Sequence, residues 1–395
     1  MHYNFDRFPP RRGTENFKWR LFPEDVLPLW VADMDFVSPE PVVRALREAV
    51  DHGLFGYPRG LHGDATDLPE YAQLIVERMA DRYSWSIQPQ DVIFYPGVVV
   101  GFNTVCHMFR EQGGAVLVQP PVYTPILDAA QTAGLTRREA PLVCQPDGSY
   151  AIDWAVFEAG LDVDTRLFLL CNPHNPVGRV FRRDELERLA ELSLSRGVLI
   201  CSDEIHSDLI YRGQRHLPIA SLDPEIAQHT ITFIAPSKTF NLAGLQASVA
   251  IIPNAELRQR FQAARQGLVP WVNLMGLIAL QAAYRDGQEW LDQLLVYLEA
   301  NCDFLYDFVQ AELPGVSMAK PEGTYLAWLD CREAQLENPF QFFLNNAKVA
   351  LNDGVSYGAG GQGFVRLNFG CPRSMLEEAL LRMKQALTAV SHDAR

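Results

Sequence analysis

Lys238 lies in the stretch Ala235-Pro236-Ser237-Lys238-Thr239-Phe240-Asn241, directly after the apolar run 231–234. An amine at the end of a buried strand loses solvation, so its pKa falls and it becomes nucleophilic near neutral pH, as a Schiff base requires. The chain has five lysines, and the other four have ordinary surroundings. Lys18 is in a charged N-terminal segment, Lys320 precedes a proline, Lys348 follows a helical stretch, and Lys384 is on an amphipathic C-terminal helix. Two further apolar runs end in polar clusters: 167–171 precedes Asn172-Pro173-His174-Asn175-Pro176-Val177-Gly178, and 198–202 precedes Asp203-Glu204-Ile205-His206. Three such clusters in series point to one shared site.

An aldehyde cofactor with a ring nitrogen and a phosphate needs an amine, an anion at the nitrogen, donors at a phenolate and an amide cradle. Asp203 can supply the anion, or it can cap the next helix. Asn175 and His206 can donate to the phenolate, or they can serve structure alone. Tyr123, after Pro120-Pro121-Val122, can lie on the ring or pack in the core. Gly97-Val98-Val99 precedes an apolar helix over about 100–110, so its amides would face an anion placed there, although glycine before a helix is common. Asp33 and Asp35 have turn and capping duty as the alternative to a place in the site.

These residues need a scaffold, and the apolar runs provide one. Strands are expected at 92–94, 115–119, 167–171, 198–202, 231–235 and 248–252, several alternating with helices. Continuous apolar strands joined by helices imply a mostly parallel sheet covered on both faces, with ligands beyond the carboxyl ends of its strands. Ser38 is the expected N-cap of a helix reaching about Asp51, with Pro39 at its first position. Asp184 is the expected cap of another, with Glu187 three residues on. Past residue 285 the pattern changes to a long helix over 289–313, short strands at 323–329 and 364–369, and a closing helix from about Arg373. The reading is an α/β large domain over 46–285 and a smaller α+β domain over 286–395. Residues 1–45 contribute to the small domain and dimer contacts, the first 29 or so wrapping over the body or a partner subunit.

The 395 residues can bury a sizeable core. A net charge of −14 argues against a nucleic-acid or anionic-membrane partner and suits a small-molecule enzyme. Seven cysteines with no Cys-x-x-Cys pair are expected to be reduced core residues of a cytoplasmic protein, and no metal enters the reading. The N-terminus lacks a basic start before an apolar stretch, so a soluble, unprocessed chain is expected.

Taken together, Ser237-Lys238-Thr239-Phe240-Asn241-Leu242-Ala243-Gly244-Leu245, the 172–178 and 203–206 segments and Val31-Ala32-Asp33-Met34-Asp35-Phe36 resemble a known family. They resemble the pyridoxal-phosphate enzymes of the aspartate-aminotransferase fold, and within them the cystathionine β-lyase-like C–S lyases of the MalY/PatB group. The likeness covers nearly the whole chain, with the motifs in order. It implies pyridoxal 5'-phosphate on Lys238, Asp203 at the pyridine nitrogen, Asn175 and His206 at the phenolate, and Tyr123 on the ring. It places the phosphate on the Val98 and Val99 amides and Ser237, with Tyr57 of Phe55-Gly56-Tyr57-Pro58 arriving from the neighbouring subunit of a homodimer with shared active sites. Arg366 of Phe364-Val365-Arg366-Leu367-Asn368 would bind the substrate carboxylate, near Tyr57 and Tyr123. Read without the resemblance, Arg366 is an ordinary salt-bridge arginine of the small lobe.

Gln246 and Ala235 stand where relatives of this fold commonly place an arginine and a serine on the phosphate, and Val177 replaces a threonine. The same residues support transamination and β-elimination; the resemblance favours elimination from cystathionine or related S-substituted L-cysteines. A pyridoxal-phosphate fold kept for binding or regulation alone is the third reading, and the intact lysine, aspartate and arginine set argues against it.

Overall fold

The computed structural model describes residues 2–7, 9–60 and 67–393. A seven-stranded sheet is built from β1 (Val92–Tyr95), β2 (Ala115–Val118), β3 (Thr136–Glu139), β4 (Thr165–Cys171), β5 (Leu199–Asp203), β6 (Thr230–Ile234) and β7 (Ser248–Ile251). Its order is β1-β7-β6-β5-β4-β2-β3, and β7 runs antiparallel to both of its neighbours while the other pairings are parallel. The six expected strands are all present within a residue or two. Every residue of β1, β2, β5, β6 and β7 is buried, which is why they read as mainly apolar runs without the alternation of a half-exposed strand. The strand of this sheet not anticipated is β3. Its sequence Thr-Arg-Arg-Glu is half exposed at the sheet edge, where charge blunts pairing with another chain.

The helices that bear on the site are α1 (Glu40–His52), α2 (Val98–His107), α3 (Arg183–Ser195), α4 (Pro236–Thr239), α5 (Leu274–Asp286), α6 (Gln288–Glu312) and α7 (Arg373–Asp393). Two expected caps are corrected. Pro39, not Ser38, is at the N-cap of α1, and the Ser38 hydroxyl donates instead to the Asn241 carbonyl at 3.2 Å. Asp184 is already inside α3; the N-cap is Arg182, whose amide donates to Glu185 Oε2 at 2.9 Å.

A second, antiparallel sheet of β8 (Leu326–Asp330), β9 (Asn352–Asp353) and β10 (Phe364–Asn368) has the order β8-β10-β9. The N-terminal segment wraps over the body: Phe5, Trp19, Leu29, Met34 and Phe36 join one core with residues of α5, α6 and α7. Leu27 and Pro28 pair in parallel with Val349 and Ala350. Asn368 on β10 donates to the Val31 and Asp33 carbonyls at 2.6 and 2.7 Å. Among the described residues no helix is long and apolar enough to cross a membrane.

Candidate active site

The carboxyl ends of β4, β5 and β6 open onto a cavity of about 480 Å³, which brings together Lys238, Asp203, Asn175, His206, Tyr123 and Arg366. Lys238 reaches it because β6 ends at Ile234 and α4 begins at Pro236. Its Nζ donates to the Ala32 carbonyl at 2.6 Å. Burial pulls the amine down to about 8; Arg366 pushes the same way, and Asp33 and Asp203 oppose. Asp203, the last residue of β5, accepts the Ile205 amide at 3.1 Å. Burial lifts its carboxyl to about 7, against the Ile205 hydrogen bond and Lys238, with Glu204 adding to the rise.

His206 is driven well below its ordinary range by burial and then by Lys238 and Arg366. It is a neutral ring, and its Nδ1 is buried without a hydrogen-bond partner. The Tyr123 amide donates to the Asn175 carbonyl at 3.0 Å, tying the two residues together. The Tyr123 phenol is raised, first by burial and then by Asp203.

Arg366 makes no salt bridge among the described residues. One guanidinium nitrogen donates to Asn175 Oδ1 at 3.0 Å, the other to the Trp30 carbonyl at 2.8 Å and Asn352 Oδ1 at 2.6 Å. Its Nε is buried without a partner. The salt-bridge alternative therefore fails, because every partner of this buried cation is a neutral oxygen.

Gly97 is the N-cap of α2, with φ 134° and ψ 148°, a region essentially reserved for glycine. It supplies no side chain to the first-turn amides, so those of Val98 and Val99 face the cavity with the positive end of the helix. Gly101, one turn on, lets the helix lie against β6: a Cβ there would be 2.3 Å from the Phe233 ring. Ser237, Ala235 and Gln246 also line the cavity. Tyr57 is not on the lining of its own chain; it is 78% exposed and packs edge-on to Trp271 at 5.0 Å.

Other participants had no signal in the sequence. Trp30, Ala32 and Asn352 act through two carbonyls and one amide, and Tyr357 lies 5.3 Å under the Arg366 guanidinium. Asp35 is outside the lining, where it accepts from Lys18 Nζ at 2.7 Å and Trp19 Nε1 at 2.8 Å. The expectation for Lys18 is corrected: it is 1% exposed. Burial lowers its pKa, but Asp35 and Asp33 outweigh burial and the net shift is upward.

The family model for aminotransferase class I and II matches residues 24–383. The chain belongs to the class I and II aminotransferase family. Within it, the cystathionine beta-lyase PatB of Bacillus subtilis (strain 168) is 43% identical, over 98% of this chain and 100% of its own. The crystal structure of cystalysin from Treponema denticola, which contains a pyridoxal 5'-phosphate cofactor, is 33% identical with TM-score 0.92, over 99% of this chain and 100% of its own. The PLP-bound C-S lyase of Staphylococcus hominis is 31% identical with TM-score 0.90, over 98% of each chain. The family fold is the aspartate-aminotransferase-like type I fold, as the two sheets and the site at the strand ends require.

Proposed function

We propose that this family member is a pyridoxal-phosphate-dependent C–S β-lyase that converts cystathionine or a related S-substituted L-cysteine and water to a thiol, pyruvate and ammonia. The observation that carries the reading is a half-buried amine held near 8 in one cavity with a buried carboxylate and a buried guanidinium that has only neutral partners. The names of the full-length relatives favour elimination over transfer.

The residues fit the cofactor. The unpartnered His206 Nδ1, the glycine-capped N-terminus of α2 and the raised carboxyl of Asp203 are each short of what it would bring: an oxygen, an anion and a cationic ring nitrogen. We assign Lys238 to the aldehyde carbon, Asp203 to the ring nitrogen, Asn175 and His206 to the phenolate, and Tyr123 to the ring face. The phosphate falls to the Val98 and Val99 amides, Ser237 and Tyr57 of the partner subunit. With Gln246 and Ala235 on the lining, amide donors and the helix dipole replace an arginine there. When bound, the cofactor supplies an electron sink for the pair left at the substrate Cα.

Arg366 receives the substrate carboxylate on its paired N–H groups. Lys238, released to its amine, takes the α-proton as general base, a role suited to a pKa near 8. The C–S bond then breaks, the thiolate leaves with a proton, and water completes the release of pyruvate and ammonia. The test is incubation with L-cystathionine alone, which yields pyruvate and a thiol if the reading holds. Product that forms only when a keto acid is added favours the aminotransferase reading, which the family's own description keeps in view.

We further propose a homodimer. Leu54, Phe55, Tyr57, Leu268 and Trp271 are exposed apolar residues, and the Tyr57–Trp271 contact gathers part of that surface. The large lobe is proposed at 46–285, its start shifted to Glu40 so that it takes all of α1, since that helix packs on α5; residues 286–395 form the proposed small lobe, joined by the segment before α1. All seven cysteines are free, which suits the reducing cytoplasm.

A further inference from the structure

The charges on the cavity are already committed. Among the described residues its charged lining side chains are Lys238, Asp203 and Arg366. Under the lyase reading, which any preference among thioether substrates presupposes, these serve the reacting centre, the cofactor ring and one carboxylate. Cystathionine carries a second ammonium and a second carboxylate on its leaving arm, and a buried charge without a partner is costly.

What the lining offers beside Arg366 is aromatic. Trp30 stands there, with Phe17 edge-on at 5.0 Å and Phe22 at 5.9 Å. The cluster runs outward to the surface, since Phe17 is 62% exposed. Trp30 is fixed at both ends. Its carbonyl accepts from Arg366 at 2.8 Å, and its indole N–H donates to the Lys18 carbonyl at 3.2 Å. The charges behind it are engaged with one another: Lys18 with Asp35 at 2.7 Å and Asp33 at 3.5 Å, and Arg11 with Asp35 at 3.5 Å. A rigid aromatic wall next to the carboxylate-binding arginine gains from an apolar substituent and gives a charged one nothing to pair with.

We infer that the preferred substrates are L-cysteine thioethers with an apolar alkyl or aryl S-substituent seated against Trp30, rather than cystathionine. The experiment compares pyruvate release from S-benzyl-L-cysteine, S-ethyl-L-cysteine and L-cystathionine by the pyridoxal-phosphate-loaded enzyme. The expected kcat/KM for S-benzyl-L-cysteine exceeds that for L-cystathionine at least about tenfold, the scale on which an apolar pocket discriminates. Trp30→Ala lowers that ratio roughly tenfold, and Trp30→Phe keeps it within about threefold. Phe17→Ala, at an exposed position that does not threaten folding, lowers the ratio about threefold.

Calorimetry with the sulfur-free analogues bishomophenylalanine and diaminosuberate reads binding without turnover, and bishomophenylalanine binds the more tightly. Cystathionine turned over as well as the benzyl substrate, tighter diaminosuberate, or a ratio unmoved by Trp30→Ala each overturns the inference and leaves the lyase reading standing. Absence of pyruvate from all three substrates overturns both.

Discussion

Replacing Lys238 by methionine in the cofactor-free protein isolates the cost of holding an ammonium beside Arg366. The amine falls from 10.5 to about 8, chiefly through burial. In that window the folded chain binds fewer protons at this site than the unfolded chain, so its stability rises with pH from about 8 to 10.5. Below the window the whole penalty applies: 10.5 minus 8 is 2.5, and at about 1.4 kcal/mol for each this comes to about 3.5 kcal/mol. The side chain is only half-buried and reaches the cavity, where water screens part of the cost, so about 2 kcal/mol is the lower end. Methionine fills nearly the same space without a charge. The Ala32 carbonyl that loses the lysine still accepts the Tyr325 hydroxyl at 3.0 Å. The variant is therefore expected to be more stable than the parent by about 2 to 3.5 kcal/mol near pH 7 and by only about 1 kcal/mol near pH 10. Urea unfolding of both forms, followed by tryptophan fluorescence at the two pH values, measures this, because titrating groups that do not interact with Lys238 cancel in the difference. A variant no more stable near neutrality, or an advantage that fails to shrink as the pH rises, refutes the idea that Lys238 is held as a desolvated amine.

Asp203→Asn keeps the shape of the site and removes the anion; pyruvate release should fall at least about a hundredfold while pyridoxal phosphate still binds, and a rate within tenfold of the parent would count against the ring-nitrogen assignment. Gly101→Ala puts a Cβ 2.3 Å from the buried Phe233 ring. Overpacking costs about 1 to 3 kcal/mol and alanine's helix preference returns up to about 1 kcal/mol, so a net loss in the urea midpoint is expected. Because α2 must shift, equilibrium dialysis should show affinity for pyridoxal phosphate falling more than affinity for pyridoxal. Asp35→Asn leaves Lys18 buried with Asp33 at 3.5 Å as its nearest carboxylate and should cost about 3 kcal/mol in the same unfolding assay.

The large sheet was legible because burial on both faces makes β1, β2 and β4 to β7 mainly apolar, and β3 was not, because an exposed edge strand carries charge. The two helix starts were misplaced for a related reason. Ser38 and Asp184 have the side chains of good caps, but a hydroxyl drawn to Asn241 and an amide held by Glu185 are tertiary facts that no local pattern carries. Lys238, Asp203, Asn175 and His206 could be found because each ends or follows a strand in the same sheet. Trp30 and Ala32 could not, since they act through carbonyls, and Asn352 lies on a strand of two residues.

Lys18 shows where strand-end reasoning stops. Lys18 is buried and Lys238 half-buried, and loss of solvation alone would lower both. Lys18 meets Asp35, 17 residues away in sequence, and is driven upward; Lys238 meets a carbonyl and the repulsion of Arg366, and is driven downward. After burial, the nucleophile is therefore lowered further by the same arginine that we assign to the substrate carboxylate. A carboxylate seated on Arg366 offsets that repulsion, so Lys238 becomes the stronger base when the substrate whose proton it must take is in place.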